Sequence, residues 1–556
     1  MMNLEPVEEL VSSADSRYFW CDRNTFPAVD SSPRKKKNVW YVALPLTTAH
    51  RGSHSGGGAL LAEAGDQSRY ANEGTVYPHA SLIEMITYQD IFFPSHTWEY
   101  IDVSHVGWTA IQERLASDPP DVVAMSVYSA TATWSLILAA ELKRVKPDAV
   151  VILGNDHAGI LHREILTGNY GSRIIDFVST GNNGPFTMMA LLAVIDGKLS
   201  IERVPSIAYR KDGQVVNQSA PTYPLNLRIL PDYKLIEREL ESYYDPAFAV
   251  WYSAHYELKR MVTFPIDGGC NWGKRPTRRC RHCSIQGLTP KAADTASIVA
   301  SMETLVGDLK ANIYAAGDST LGMSKSQWGG EFTLLDDLAL ACSESKILQD
   351  KRFLLAYGLV YEFLTSAELC KGFVRTWNVG LESFDPQLLK GNSKGINKGP
   401  DRIYEALELA KSLDYKLYLS GILGLPGTTM RQLKEEVANW LAIAEAYAGQ
   451  VTTISVAAPA IIPGSRMYFD SYNSDPRVRE WHGELLHTRR LSEIYIEQNT
   501  EVTLKDVEAA LNELGKGVIA LDNSGANIKF GGYMMGGVDE TEAREMNLLN
   551  NAMKFL

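Results

Sequence analysis

The sequence predicts an α/β protein: a doubly wound, Rossmann-like domain, then a partial (β/α)6 barrel of the TIM type, then a small, mainly helical C-terminal region. Three observations carry that expectation. Short β-branched runs alternate with apolar patterns of helical spacing, first over residues 121–195 and again from residue 260 onward. Glycine-rich turns close most of the strand-like runs, at the ends where parallel sheets hold their ligands. A chain of 556 residues is long enough for two or three domains, each burying its own core.

The elements follow in order. Residues 1–37 read as a polar N-terminal extension, and residues 38–46, Asn-Val-Trp-Tyr-Val-Ala-Leu-Pro-Leu, as the first strand. A Gly/Ser-rich segment covers residues 52–58, and the long stretch after it carries no pattern that assigns it. The pattern then becomes regular: a strand over 121–127, a helix over 133–145, and a strand over 148–153 ending in Gly154-Asn-Asp-His157. This is a βαβ unit. A further strand over 174–179 leads into Gly181-Asn-Asn-Gly184 and a helix through Ile195. Because doubly wound sheets bind ligands at strand carboxyl ends, the candidate loops are 126–131, 154–159 and 181–184. Residues 207–216, with Lys211-Asp-Gly213 at their centre, read as a hairpin. The domain therefore spans 38–220, and a Pro-containing linker runs over 221–259.

The barrel is expected over 260–470, with strands at 261–266, 312–316, 353–360, 377–381, 417–425 and 453–460 and helices between them. Its active site belongs at the strand carboxyl ends. The remainder, 471–556, turns helical and charged and includes a Gly/Met-containing segment at 531–537.

The net charge of -12 gives no electrostatic footprint for general nucleic-acid binding, so nucleic acid is not expected as a partner. One basic cluster stands apart: Lys274, Arg275, Arg278, Arg279 and Arg281 crowd a cysteine-containing loop, either offsetting negative charge there or gripping an anionic substrate. The N-terminus lacks a basic region followed by an apolar core, and no apolar run approaches membrane-spanning length, which points to a soluble, cytoplasmic protein without membrane partners. Of the six cysteines, Cys342 and Cys370 sit in helical apolar patterns as small hydrophobes, and Cys21 is isolated. Such sparse usage fits a reducing compartment.

The remaining three form Cys270-x9-Cys280-x2-Cys283, directly after the first barrel strand. Four cysteines close off a metal, whereas three on one iron–sulfur cluster leave an iron free to hold a substrate or cofactor. The competing reading is a structural zinc site with His282 or another histidine as fourth ligand. His282 is badly placed for that, being adjacent to Cys283, and no second Cys-x2-Cys is available.

Behind this loop, glycine-rich strand ends line up as Ala316-Gly-Asp-Ser-Thr320, Val379-Gly-Leu-Glu-Ser383, Gly421-Ile-Leu-Gly-Leu-Pro-Gly427 and Pro463-Gly-Ser465. In that order the sequence resembles the radical S-adenosylmethionine (SAM) superfamily. The usual motif there is Cys-x3-Cys-x2-Cys with an aromatic residue before the last cysteine. Here His282 takes that place, and the longer first gap resembles the variant of elongator-type tRNA-modifying enzymes. The resemblance implies a 4Fe-4S cluster on Cys270, Cys280 and Cys283, with His282 beside the cofactor. It further implies Gly317 and Asp318 at the SAM amino group, Glu382 and Ser383 at its ribose or carboxylate, and Gly421 and Gly424 along its adenine.

A doubly wound domain ahead of such a barrel resembles the cobalamin-binding subclass. The departures are Gly154-Asn-Asp-His157 for the common Gly-Gly-x-His, and Asn182 and Asn183 in a turn that is often acidic. The histidine-ligand motif Asp-x-His-x-x-Gly is absent; Asp102-Val-Ser-His105-Val-Gly107 has the wrong spacing, and this subclass commonly lacks the motif. The resemblance implies a corrin over the strand ends near Ser126, Ser129, Gly154, His157 and Gly181. The alternatives are that His157 is an ordinary loop residue and the domain a vestigial fold.

What this implies about activity is methylation of an unactivated carbon, or less often phosphorus, of a small molecule or peptide, through a 5′-deoxyadenosyl radical and methylcobalamin. The same cofactors also serve cyclisation, ring contraction, dehydration or rearrangement. A non-catalytic corrinoid- or zinc-binding protein is the alternative of another class. A low-potential electron donor such as flavodoxin or ferredoxin would be the protein partner, and no catalytic residue beyond the cofactor ligands is indicated.

Overall fold

Strand β1 (Asn38–Ala43) is a near-continuous apolar run because it is an interior strand, paired in parallel on both sides and covered on both faces. Val39, Tyr41 and Ala43 pack into the layer that continues into the second half of the molecule, and Trp40 and Val42 into the opposite layer. In the computed structural model, residues 36–44, 78–181, 184–219, 229–243, 260–266, 280–283, 295–315, 334–349, 351–394, 399–480, 482–485, 488–526, 528–530, 538–554 and 556 are described. Segments 52–58 and 531–537, and most of the linker, lie outside them.

The stretch that carried no sequence pattern holds α1 (Ala80–Phe92), β2 (Thr97–Asp102) and α2 (Trp108–Ser117). Its periodicity is hidden because α1 buries Glu84, Thr87 and Gln89 along with its apolar residues, and Tyr41 donates its hydroxyl to Gln89 at 2.7 Å. The expected βαβ unit is present as β3 (Val122–Ser126), α3 (Ala132–Val145) and β4 (Val150–Gly154). β5 is shorter than expected, Phe177–Ser179, because Gly171–Ile174 forms a helical turn before it. Helix α4 (Gly184–Ile195) and the hairpin β6 (Ile207–Lys211) and β7 (Gln214–Gln218) complete the sheet. Its order is β2-β1-β3-β4-β5-β6-β7, parallel through β5 and antiparallel in the hairpin. The direction of winding reverses between β1 and β3, which opens a crevice at their carboxyl ends.

The second sheet is all parallel and follows chain order. Its strands are β8 (Arg260–Thr263), β9 (Ala311–Tyr314), β10 (Leu354–Leu359), β11 (Val374–Glu382), β12 (Lys416–Ile422) and β13 (Val451–Ala457). The intervening helices are α5 (Thr295–Glu303), α6 (Leu334–Glu344), α7 (Val360–Cys370), α8 (Pro386–Gly391), α9 (Pro400–Ser412) and α10 (Met430–Ala446). Trp377, Val379 and Leu381 of β11 point at these helices, with Trp377 edge-on to Phe363 and Tyr415. Cys342 in α6 and Cys370 in α7 are buried in this core, as their apolar setting predicts.

After α11 (Arg466–Ser474), α12 (Thr488–Asn499) and α13 (Leu504–Leu521), a two-residue strand β14 (Lys529–Phe530) pairs in parallel with β13. It is too short to leave a sequence signal. Helix α14 (Val538–Met553) then returns to the first domain, where Leu549, Ala552 and Met553 share a core with Leu136, Ala139 and Ala140 of α3. The two halves are also tied where Thr263 donates to the Pro78 carbonyl at 2.9 Å and Tyr233 donates to the Thr263 carbonyl. No helix among the described residues is long and apolar enough to cross a membrane.

Candidate active site

Since odd-numbered residues of β11 face the helices, Asn378, Gly380 and Glu382 face the barrel interior. Strand register sets Asn378 level with Tyr357 and Tyr418, and Gly380 level with Leu359 and Ser420, which in turn pairs with Ser455. Asn378 Nδ2 donates to Tyr314 Oη at 3.4 Å, while its Oδ1 is buried with no hydrogen-bond partner. Burial pushes the phenols of Tyr314, Tyr357 and Tyr418 up, so all three stay protonated donors. The result is an uncharged hydrogen-bonding wall.

Above it lies a charged rim. Glu382 ends β11 at a register break with φ 66°, a conformation that costs a non-glycine residue roughly 1–2 kcal/mol. Its carboxylate accepts from Lys394 Nζ at 2.8 Å, and both side chains are almost fully enclosed. His282 Nε2 lies 3.9 Å from the same carboxylate oxygen, and His282 Nδ1 is 2.9 Å from Asn392 Nδ2. Burial pushes Glu382 up, but Lys394 and His282 outweigh it and hold the carboxyl below its usual range. For Lys394, burial acts downward, and Glu382 followed by Cys280 outweighs it, leaving the ammonium well above its ordinary value.

These groups grip the cysteine turn. Cys283 N donates to the Cys280 carbonyl at 3.3 Å, and Arg281 N donates to the Asn392 carbonyl at 3.4 Å. Arg281 also accepts at its carbonyl from Met467 N at 2.9 Å and reaches Asp470 with its guanidinium at 2.7 Å. The turn is therefore held between the segment after α8 and helix α11.

Cys280, His282, Cys283 and Glu382 thus converge. Cys270, Gly317 and Asp318 lie outside the described residues, and among those described no group of three or more His, Cys, Asp or Glu is placed to hold a metal ion. Ser383 turns away from the rim and donates to Glu436 Oε1 at 2.5 Å. Gly421 serves packing, since a Cβ there would sit 2.4 Å from Trp440 Cζ2. Gly424 supplies the φ of 89° that its turn requires.

Glu436 also accepts from Phe384 N at 2.9 Å and Asp385 N at 3.2 Å, so it braces the loop that follows Glu382. Burial raises its carboxyl to about 7, partly opposed by those hydrogen bonds. A raised carboxyl means the folded chain keeps a proton that the unfolded chain loses above 4.5, so this stability is lost as pH rises from there to about 7. Glu436→Gln keeps the acceptor oxygen and removes the titration. The variant is expected to gain on the order of 3 kcal/mol over wild type between pH 5 and 8, read by denaturant unfolding at both pH values. Parallel pH dependence in the two proteins would contradict this.

In the first domain the candidate residues gather at the strand carboxyl ends. Ser126 Oγ accepts from Asn155 Nδ2 at 2.9 Å, and Ser129 Oγ is 3.1 Å from His157 Nδ1. His157 is buried against the Glu484 backbone, and burial pushes its imidazole down to about 4, so the ring is neutral at pH 7. Gly154 abuts Ser179, whose buried Oγ has no hydrogen-bond partner, and Gly181 lies against Ser206. At the end of β2, Tyr243 donates to Asp102 at 2.7 Å, and the His105 ring lies tilted against that of Tyr243 with centroids 4.4 Å apart. Sequence reasoning missed Lys394, Asn392, Asn378, Ser179 and the interior tyrosines. None belongs to a motif, although the position of Asn378 two residues before Gly380 on a recognised strand gave a signal for one of them.

No protein-family model matches the chain, and no curated protein matches it. Solved structures do. The radical S-adenosylmethionine methyltransferase TsrM from Kitasatospora setae, with tryptophan substrate and the SAM analogue aza-SAM bound, aligns with TM-score 0.55 at 15% identity, over 79% of this chain and 76% of that one. The cobalamin-dependent S-adenosylmethionine radical enzyme OxsB, with aqua-cobalamin and S-adenosylmethionine bound, aligns with TM-score 0.54 at 14% identity. That alignment covers 89% of this chain and 62% of OxsB. The chain has the fold of these cobalamin-dependent radical SAM enzymes: a doubly wound domain, a curled half-barrel and a helical C-terminus.

Proposed function

We propose that this protein is a cobalamin-dependent radical SAM enzyme that methylates an unactivated carbon, or phosphorus, of a small molecule or peptide. The observation that carries the reading is the meeting of Cys280, Cys283 and His282 with the Glu382–Lys394 pair at the barrel's carboxyl rim, in a fold that TsrM and OxsB share.

The donor set fits a 4Fe-4S cluster: two thiols on one braced turn, with Cys270 earlier in the same loop as the third ligand. Ser179 Oγ, orphaned beside Gly154 at the ends of β5 and β4, fits a polar ligand over the first sheet, and there Ser126, Ser129, His157 and Gly181 would surround a corrin. When bound, the cluster supplies an electron for reductive SAM cleavage to a hydrogen-abstracting radical, and the corrin supplies a methyl carrier. The chain's own residues do the rest. Glu382 and Lys394 present fixed opposite charges to the amino-acid end of SAM, with Gly317 and Asp318 assigned to its amino group. Gly421 and Gly424 carry the backbone along the adenine, Ser383 and Glu436 brace the Glu382 loop, and the wall of Asn378, Tyr314, Tyr357 and Tyr418 holds an uncharged part of the substrate. His157 acts by fixing the Ser129 turn. A flavodoxin or ferredoxin would be the electron donor.

The test is anaerobic reconstitution with iron, sulfide and hydroxocobalamin, followed by SAM and a low-potential reductant, with products quantified by mass spectrometry. The expected products are 5′-deoxyadenosine and S-adenosylhomocysteine together. 5′-Deoxyadenosine alone would replace methylation with a cyclisation, ring contraction, dehydration or rearrangement.

A further inference from the structure

The segment Asn392-Ser393-Lys394 has no place in any motif, yet it is built with care. It closes α8, where Lys394 N donates to the Leu389 carbonyl at 2.7 Å, and Ser393 adopts φ 60° to turn the chain inward. Asn392 thereby meets Arg281 and His282, and Lys394 enters the barrel against Glu382, whose carboxylate lies 3.9 Å from His282 in the cysteine turn. Gly380 makes room, since a Cβ there would sit 2.9 Å from Glu382 Oε1 and 3.2 Å from Lys394 Nζ. Side-chain exposure of 4% and 6% leaves the Lys394 and Glu382 charges almost unscreened by water and salt.

We propose that this enclosed pair sets the reduction potential of the iron–sulfur cluster on the Cys280–Cys283 turn, with Lys394 favouring the reduced state and Glu382 opposing it. The inference rests on the functional reading above. Reduction adds one electron, delivered by an external donor, and so one negative charge, to a cluster already made anionic by thiolates and sulfides. A fixed ammonium beside the turn stabilises that added charge, and a fixed carboxylate beside it destabilises it. Lys394 and Glu382 act here as positioning residues that tune the cluster without ligating it. A merely structural pair would shift the potential in the same direction when either partner is removed, through loosening of the turn.

The experiment is an EPR-monitored redox titration of the full chain, reconstituted with iron and sulfide and poised with dithionite and mediators, without SAM or substrate. Lys394→Met is expected to cut the ratio of reduced to oxidised cluster at least tenfold at a given potential, about 59 mV for one electron. Glu382→Gln is expected to shift it the opposite way, and Lys394→Arg to restore most of the wild-type value. Shifts of the same sign in Lys394→Met and Glu382→Gln, or unchanged midpoints with cluster content intact, would overturn this proposal alone. If Lys394→Met fails to fold, Glu382→Gln carries the sign by itself, and a midpoint at or below wild type overturns it. A wild-type chain that takes up no cluster overturns the functional reading and this proposal with it.

Discussion

Cys280→Ala leaves a chain that folds but takes up no stable four-iron cluster. Cys280 and Cys283 sit on one turn held by Asn392, Met467 and Asp470, and none of those contacts uses the Cys280 side chain. On the proposed reading, alanine therefore removes a ligand and keeps those contacts. With only Cys270 and Cys283 left in the loop, a cluster of the proposed kind would lose one of its three thiolate anchors, and no other described cysteine is near: Cys342 and Cys370 are in helices on the outside of the sheet, with burial pushing both thiols up. Iron and acid-labile sulfide after anaerobic reconstitution are expected to fall to background, with an unchanged circular dichroism spectrum. Full retention of both in Cys280→Ala would place the cluster elsewhere.

The second large effect is on stability. Gly421→Val forces a branched side chain into Trp440, whose Cζ2 would lie 2.4 Å from the new Cβ. Neither side can give way, because β12 is locked between β11 and β13 and Trp440 is fully enclosed with its ring edge-on to Phe384. Overpacking of this kind costs about 3 kcal/mol, and the expected result is a large fall in the denaturant midpoint. The double variant with Trp440→Ala is expected to recover part of the loss, as contacting residues couple. A Gly421→Val chain as stable as wild type would contradict the packing of β12 on α10.

The alternation of strands and helices was legible from residue 121 onward because each strand of a parallel sheet is a short apolar run and each helix keeps its spacing. It failed where polar groups are buried: α1 hides Glu84, Thr87 and Gln89 in the interior, so its pattern does not stand out. Helix α14 and strand β14 were missed because one follows a segment without pattern and the other has two residues. In the candidate site, the cysteines and Glu382 were picked out by spacing and by strand-end glycines, and the fold brings Cys280, Cys283 and Glu382 to one rim. Lys394 was not picked out, since Gly-Asn-Ser-Lys after a helix is the composition of an ordinary solvated cap, and only the fold brings its ammonium to Glu382 across twelve residues. Ser383 shows the converse: its residue type fits a ligand contact, while in the fold its hydroxyl is taken up by Glu436.

EPR spectroscopy of the reconstituted, dithionite-reduced chain, with and without SAM, tests whether the cysteine turn holds a cluster with an open iron. A cluster held by three cysteines has one iron open to SAM, so a reduced 4Fe-4S signal whose shape changes when SAM is added is expected. A reduced signal that SAM leaves untouched, or a chain that binds zinc in place of iron, would contradict it.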